Sequence, residues 1–150
     1  MIFKDLKQKI KTFIKDELIS LEPWIVNSEW SEKLPKLNEL RDKVKDMGFW
    51  LPQVSKEYGG LGLTLEQHGE VSEMLGASPY GFYVFNCQAP DAGNMEVLIE
   101  TGTDEQKQKY LYPLLEGKIR SCFAMTEPNY AGSNPTRMGT TAKKENGNYI

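Results

Sequence analysis

The sequence is poor in the residues that build metal centres and nucleophilic sites. It holds one histidine, His68, and two cysteines, Cys87 and Cys122, in 150 residues. No C-x-x-C pair occurs, so neither a zinc site nor a disulfide framework is encoded. One histidine is too few for a His-built metal site, and a Ser-His-Asp triad has little to draw on. Positive charge is not in excess: 18 Lys+Arg face 21 Asp+Glu, for a net charge of -3. Nucleic acids and anionic membranes need a basic surface, so neither is an expected partner. No apolar run approaches the roughly 20 residues of a membrane span. The N-terminal stretch carries Asp5, Asp16 and Glu17 where a leader would be apolar. The expectation is a cytoplasmic protein with no membrane span, long enough to bury a core without covalent staples.

What is present reads first as helix. Phe3, Leu6, Ile10, Phe13 and Ile14 recur at helical spacing, which predicts an amphipathic helix over about residues 2–20, interrupted by Pro23. A second helix runs up to Met47, with Leu37, Leu40, Val44 and Met47 on one stripe and Gly48 as its stop. Thr64 with Gln67, and Thr103 with Gln106, form capping boxes that start two more helices. Between them Asp91 is expected to cap a short helix through Met95, Leu98 and Ile99, closed by Gly102. Pro113 bends or shortens the last helix.

After Gly117 the period changes from 3.6 to 2. Ser121–Thr126 alternates, Thr126–Pro135 is a run of turn residues, and Arg137–Lys144 reads as a second strand. Asn146-Gly147 then predicts a tight hairpin turn, with Tyr149-Ile150 starting the return strand. A hairpin so short leaves an unpaired edge, so the chain is expected to be the front part of a longer protein.

Three constellations bear on chemistry. Tyr58-Gly59-Gly60-Leu61-Gly62 has no preceding strand and no following Gly-Lys-Ser/Thr, so it reads as a structural turn rather than a phosphate loop. His68, one turn from Leu65 and Val71, reads as a rim residue bonded locally. The third is Cys122–Asn134, in which a strand ends on the hydroxyl of Thr126 and opens into a Gly132-Ser133 loop. Such a loop can aim backbone amides and a hydroxyl at an anion. By composition alone it could equally be a plain connection between strands.

This last stretch resembles the flavin-binding signature of the acyl-CoA dehydrogenase family, a strand ending in Thr-Glu-Pro followed by a Gly-Ser turn. The resemblance extends in order through the Tyr58–Gly62 turn, the Phe85–Leu98 segment, and Gly102–Lys107 leading to Pro113–Gly117. Two departures stand out: the Asn129-Tyr130-Ala131 stretch is one residue longer than the commonest form, and Asn134 replaces the usual Asp. The longer loop and the Asn86–Asp91 segment look most like the subgroup found fused to kinase-like domains in animals.

The resemblance implies an all-α N-terminal helical domain over residues 1–118 and the first strands of a β-barrel domain over 119–150. It implies FAD as cofactor, with Phe123, Met125, Thr126, Gly132 and Ser133 at the cofactor and Ser133 also approaching an acyl-CoA substrate. The implied reaction is α,β-dehydrogenation of acyl-CoA thioesters, with a separate electron-accepting flavoprotein and a homo-oligomer at full length. No catalytic residue falls on these 150 positions, because the family's base is a Glu in a C-terminal part. The fragment alone is therefore expected to be inactive, and Glu127 is expected to order the loop. Two alternatives stay open: a flavoprotein of the same superfamily with acyl-CoA oxidase or monooxygenase chemistry, and a helical interaction module without a cofactor.

Overall fold

Apolar residues at helical spacing pack only if their stripe meets another element, and here it does. In the computed structural model, which describes residues 2–150, α1 (Phe3–Phe13) buries Leu6, Ile10 and Phe13. Pro23 does not interrupt the helix as expected. A wide π-type turn at Ile14–Leu18 and a 3-10 turn at Ile19–Leu21 carry the chain into α2 (Glu22–Asn27), whose first turn contains Pro23. Proline lacks an N–H and crowds the carbonyl one turn back, and a first-turn position removes much of that conflict. The same arrangement recurs at the other end of the domain. There α7 (Asp104–Gln106) passes through a π-type turn at Lys107–Leu111 into α8 (Tyr112–Leu115), with Pro113 in its first turn.

The long helix α3 (Trp30–Asp46) fully buries Leu37, Leu40 and Val44. Met47, expected as the fourth member of that stripe, is instead the C-cap and 38% exposed, because Gly48 turns the chain away at φ 71°. Both expected capping boxes form. At α4 (Leu65–Leu75) the Gln67 amide donates to Thr64 Oγ1 at 3.2 Å and the Thr64 amide to Gln67 Oε1 at 3.1 Å. Thr103 and Gln106 do the same at 3.3 and 2.9 Å. At α3 the Glu29 amide donates to the Glu32 carboxylate at 3.1 Å, a start signal the sequence reading passed over. The Gly59–Gly62 run is a turn: a Cβ on Gly60 would lie 2.1 Å from the Val54 carbonyl oxygen.

One core joins α1, α3, the Phe49–Val54 loop, α4, α5 (Gly81–Val84), α6 (Asp91–Thr101) and α8. Phe13 meets Phe85 edge-on inside it, with ring centroids 5.8 Å apart. Among the described residues every buried side chain lies between Leu6 and Leu115. Asp91 departs from expectation. It is the first residue of α6, the cap position belongs to Pro90, and the Asp91 carboxylate turns away to bind residues 120 and 121.

Beyond Gly117 the fold class holds, a helical domain followed by the start of a β domain, but the expected strands are shorter. Ser121–Thr126 has no ladder, and Arg137 ends a 3-10 turn (Pro135–Arg137) instead of starting a strand. Among the described residues strand pairing is limited to β1 (Lys144–Glu145) and β2 (Asn148–Tyr149), antiparallel, with Lys144 opposite Tyr149. Lys143 and Ile150 extend it by exchanging two backbone hydrogen bonds of 2.9 Å. Asn146 (φ 50°) and Gly147 (φ 84°) supply the turn the sequence announces. Alternation prepares a segment for a sheet, but a ladder exists only where a second strand accepts its N–H and C=O groups.

Candidate functional site

The Thr126–Ser133 region is organised by Glu127. Its carboxylate accepts the Gly139 amide at 2.7 Å, the Thr140 amide at 2.8 Å, and the Thr140 hydroxyl. These contacts close residues 127–140 into a loop and hold Glu127 below the usual carboxylate range, the Thr140 hydroxyl first, then the two amides. Inside the loop, the Asn134 amide donates to the Ala131 carbonyl at 2.9 Å. Asn134 Oδ1 accepts the Thr136 amide at 3.1 Å and the Thr136 hydroxyl at 2.7 Å. Of the Asn134 side chain only the oxygen is bonded among the described residues, so an aspartate would serve the same turn. Tyr130, the residue of the lengthened stretch, lays its ring on Gly139, where a Cβ would come within 2.4 Å of it.

Three of the five residues singled out in the sequence come together. A Cβ on Gly132 would lie 2.9 Å from Thr126 Oγ1, so the loop folds back until Gly132 touches Thr126, with Ser133 next in the chain. Among the described residues the amides of Ala131, Gly132 and Ser133 and the Ser133 hydroxyl make no hydrogen bond. Successive free amides beside a hydroxyl suit an anion such as a pyrophosphate, so this donor set fits the phosphate part of FAD. Phe123, 70% exposed, and the half-buried Met125 lie on the segment leading in, outside this cluster.

The anchor of that segment was not found from the sequence. Asp91 Oδ1 accepts the Ser121 amide at 2.7 Å and the Ser121 hydroxyl at 2.5 Å. Its Oδ2 accepts Arg120 Nε at 2.5 Å and the Gln88 amide group. Burial alone would raise the Asp91 pKa, yet the Ser121 hydroxyl and amide and the Arg120 guanidinium outweigh it, leaving it below the ordinary value. Nearby, buried Arg41 donates to the Tyr83 carbonyl at 2.7 Å, and to Asn86 Oδ1 and the Gly117 carbonyl at 3.3 Å. Its guanidinium carbon lies 4.8 Å from the Trp50 ring and 4.6 Å from that of Tyr83. The only signals available beforehand were Asp91, an acid at the head of an apolar helix, and Arg41, a cation beside the stripe of α3.

His68 pairs locally, its Nε2 lying 3.4 Å from Ser72 Oγ. Burial pushes the Cys87 thiol up to about 12, so it is held as an unreactive thiol. No group of His, Cys, Asp and Glu residues among the described residues is placed to hold a metal ion.

The profile of the acyl-CoA dehydrogenase N-terminal domain matches residues 3–118. The chain belongs to the acyl-CoA dehydrogenase family. It is 40% identical over 158 aligned positions to acyl-CoA dehydrogenase family member 10 of Mus musculus, covering 98% of this chain and 15% of that protein. With acyl-CoA dehydrogenase family member 11 of Gallus gallus it shares 40% identity, over 95% of this chain and 19% of that one. A solved structure from Mycobacterium abscessus, assigned as an acyl-CoA dehydrogenase, superposes with a TM-score of 0.84 at 37% identity. That match covers 96% of this chain and 39% of the other. The chain thus spans under a fifth of these curated relatives. No helix among the described residues is long and apolar enough to cross a membrane.

Proposed function

We propose that residues 1–118 form the N-terminal helical domain, and 119–150 the opening of the β-barrel domain, of an FAD-dependent acyl-CoA dehydrogenase. The reaction is α,β-dehydrogenation of an acyl-CoA thioester, with electrons passed on to a separate flavoprotein, in a cytoplasmic homo-oligomer. One observation carries the reading: Thr126 and Gly132 are brought into contact beside three free amides and the Ser133 hydroxyl. Bound FAD would supply the redox chemistry, taking the hydride released from the substrate β carbon. Thr126 offers a hydroxyl to the polar edge of the flavin, and Phe123 and Met125 line the approach to it. Gly132 lets the backbone come close to the pyrophosphate, where the Ser133 amide and hydroxyl donate. Ser133 also reaches toward acyl-CoA.

Glu127 is a loop-closing residue and not the base. Its oxygens are occupied by Gly139 and Thr140, and its depressed proton affinity runs opposite to what removal of an α proton requires. The family resemblance puts the base, a Glu of the C-terminal part, outside residues 1–150, and on this reading these residues alone turn over no substrate. Anaerobic titration of the full-length protein with acyl-CoA thioesters tests this: loss of the oxidised flavin absorbance is expected. Bound flavin that no thioester reduces would contradict the reading, as would turnover by residues 1–150 with added FAD.

A further inference from the structure

Among the described residues Asp91 is the one fully buried carboxylate, and it sits where the chain leaves the helical core. A buried charge persists where its lone pairs are filled. Those of Asp91 are filled almost wholly by the exit segment: Ser121 gives an amide and a hydroxyl, Arg120 gives Nε, and only Gln88 comes from the helical side. Asn94, three residues further along α6, donates to Ser121 Oγ at 2.9 Å and to the Cys122 carbonyl at 3.4 Å. The Arg120 guanidinium also rests 5.0 Å from the Tyr83 ring centroid. Residues 120–122 are thus tied to one end of α6, while among the described residues no hydrogen bond ties Phe123–Thr126 to the helices.

We propose that Asp91, supported by Asn94, is a positioning residue that sets where Phe123–Thr126 lies against the helical domain. The inference rests on the flavin reading above. Ser121 is two residues from Phe123 and five from Thr126, and a chain advances at most about 3.5 Å per residue, so an anchor at Ser121 confines both. The chemistry calls for a carboxylate specifically. Four donors converge on Asp91, and a carboxamide of the same shape would turn its own NH2 against two of them. Asp91→Asn should therefore fail nearly as badly as Asp91→Ala, which a packing role would not predict.

The test uses Asp91→Asn, Asp91→Ala and the milder Asn94→Ala in the full chain. Amide hydrogen exchange is read at residues 119–126 and at the α3 core, together with the absorption maximum of bound flavin and separate kcat and KM values. Exchange at the Ser121 amide, which Asp91 accepts, should rise about tenfold in both Asp91 variants, with Leu37–Val44 unchanged. Asn94→Ala should raise it less. The flavin band should shift and kcat fall while KM for acyl-CoA holds. Parent-like exchange over 119–126 in Asp91→Asn and Asn94→Ala would overturn the proposal, and so would loosening spread evenly through the helices. If the parent binds no flavin the functional reading fails, while the exchange result still decides whether Asp91 anchors the segment.

Discussion

Every buried side chain among the described residues lies between Leu6 and Leu115, whereas Phe123, Tyr130, Met138, Tyr149 and Ile150 stand open to solvent. The two regions also differ in where their hydrogen bonds go. The helices satisfy their backbone internally and close their ends with Thr64–Gln67 and Thr103–Gln106. The segment from Ser121 to Thr126 has no such internal solution. It is held at its root by Asp91 and Asn94 and at its far end by the Glu127 clasp, and among the described residues the backbone of Phe123–Thr126 makes no hydrogen bond. The helical region is stable through its own packing. The region carrying the candidate site is ordered by a few polar contacts, which leaves its donors free for a ligand.

The largest contrast should be chemical. A thiol reagent should modify exposed Cys122 readily and leave Cys87, buried and with its thiol pushed up to about 12, unmodified until the helices unfold. Mass spectrometry of peptides after brief alkylation reads both sites at once; comparable labelling would erase the distinction. In stability, Leu40→Ala, at a fully buried site, should cost about 3 kcal/mol in urea unfolding. Phe123→Ala should change the same midpoint by no more than about 0.5 kcal/mol. A Phe123 effect near that of Leu40 would mean that the exit segment belongs to the core.

Two weaker perturbations sharpen the comparison. Thr64→Ala removes a cap and should cost about 1 kcal/mol, confined to the start of α4. Acid should act locally on the exit region. Asp91 and Glu127 are both held below their ordinary values, so their contacts are fully present above about pH 4, near the unfolded carboxylate pKa. They are lost as pH falls through the lower native values. Amide spectra between pH 6 and pH 2 should show Ser121, Gly139 and Thr140 changing before α3 does; simultaneous change would contradict the assignment.

Much of this was legible because local rules decide it. The α3 stripe, the two Thr-x-x-Gln starts, Gly48, the Gly59–Gly62 turn and the Asn146-Gly147 hairpin depend on residues a few positions apart. Pro23 was misjudged because a break was expected where a π-type turn lets the chain continue. Ser121–Thr126 was read as a strand from its alternation, but pairing depends on a partner that alternation does not supply. Asp91 looked like a cap, and three of its four donors lie about thirty positions away, on Arg120 and Ser121, a distance no local pattern spans. The loop residues Thr126, Gly132 and Ser133 came from family resemblance, and their closeness rests on a fold-back that composition alone does not reveal.

Contact between the Thr126–Ser133 loop and the cofactor is tested most directly by equilibrium FAD binding to the full-length parent and Ser133→Ala. Removing a hydrogen bond to a charged group typically costs about 1.5–3 kcal/mol, so Ser133→Ala should bind FAD roughly ten- to a hundredfold more weakly with its circular dichroism unchanged. Equal FAD affinity in parent and variant, with the fold intact, would show that this loop does not hold the pyrophosphate.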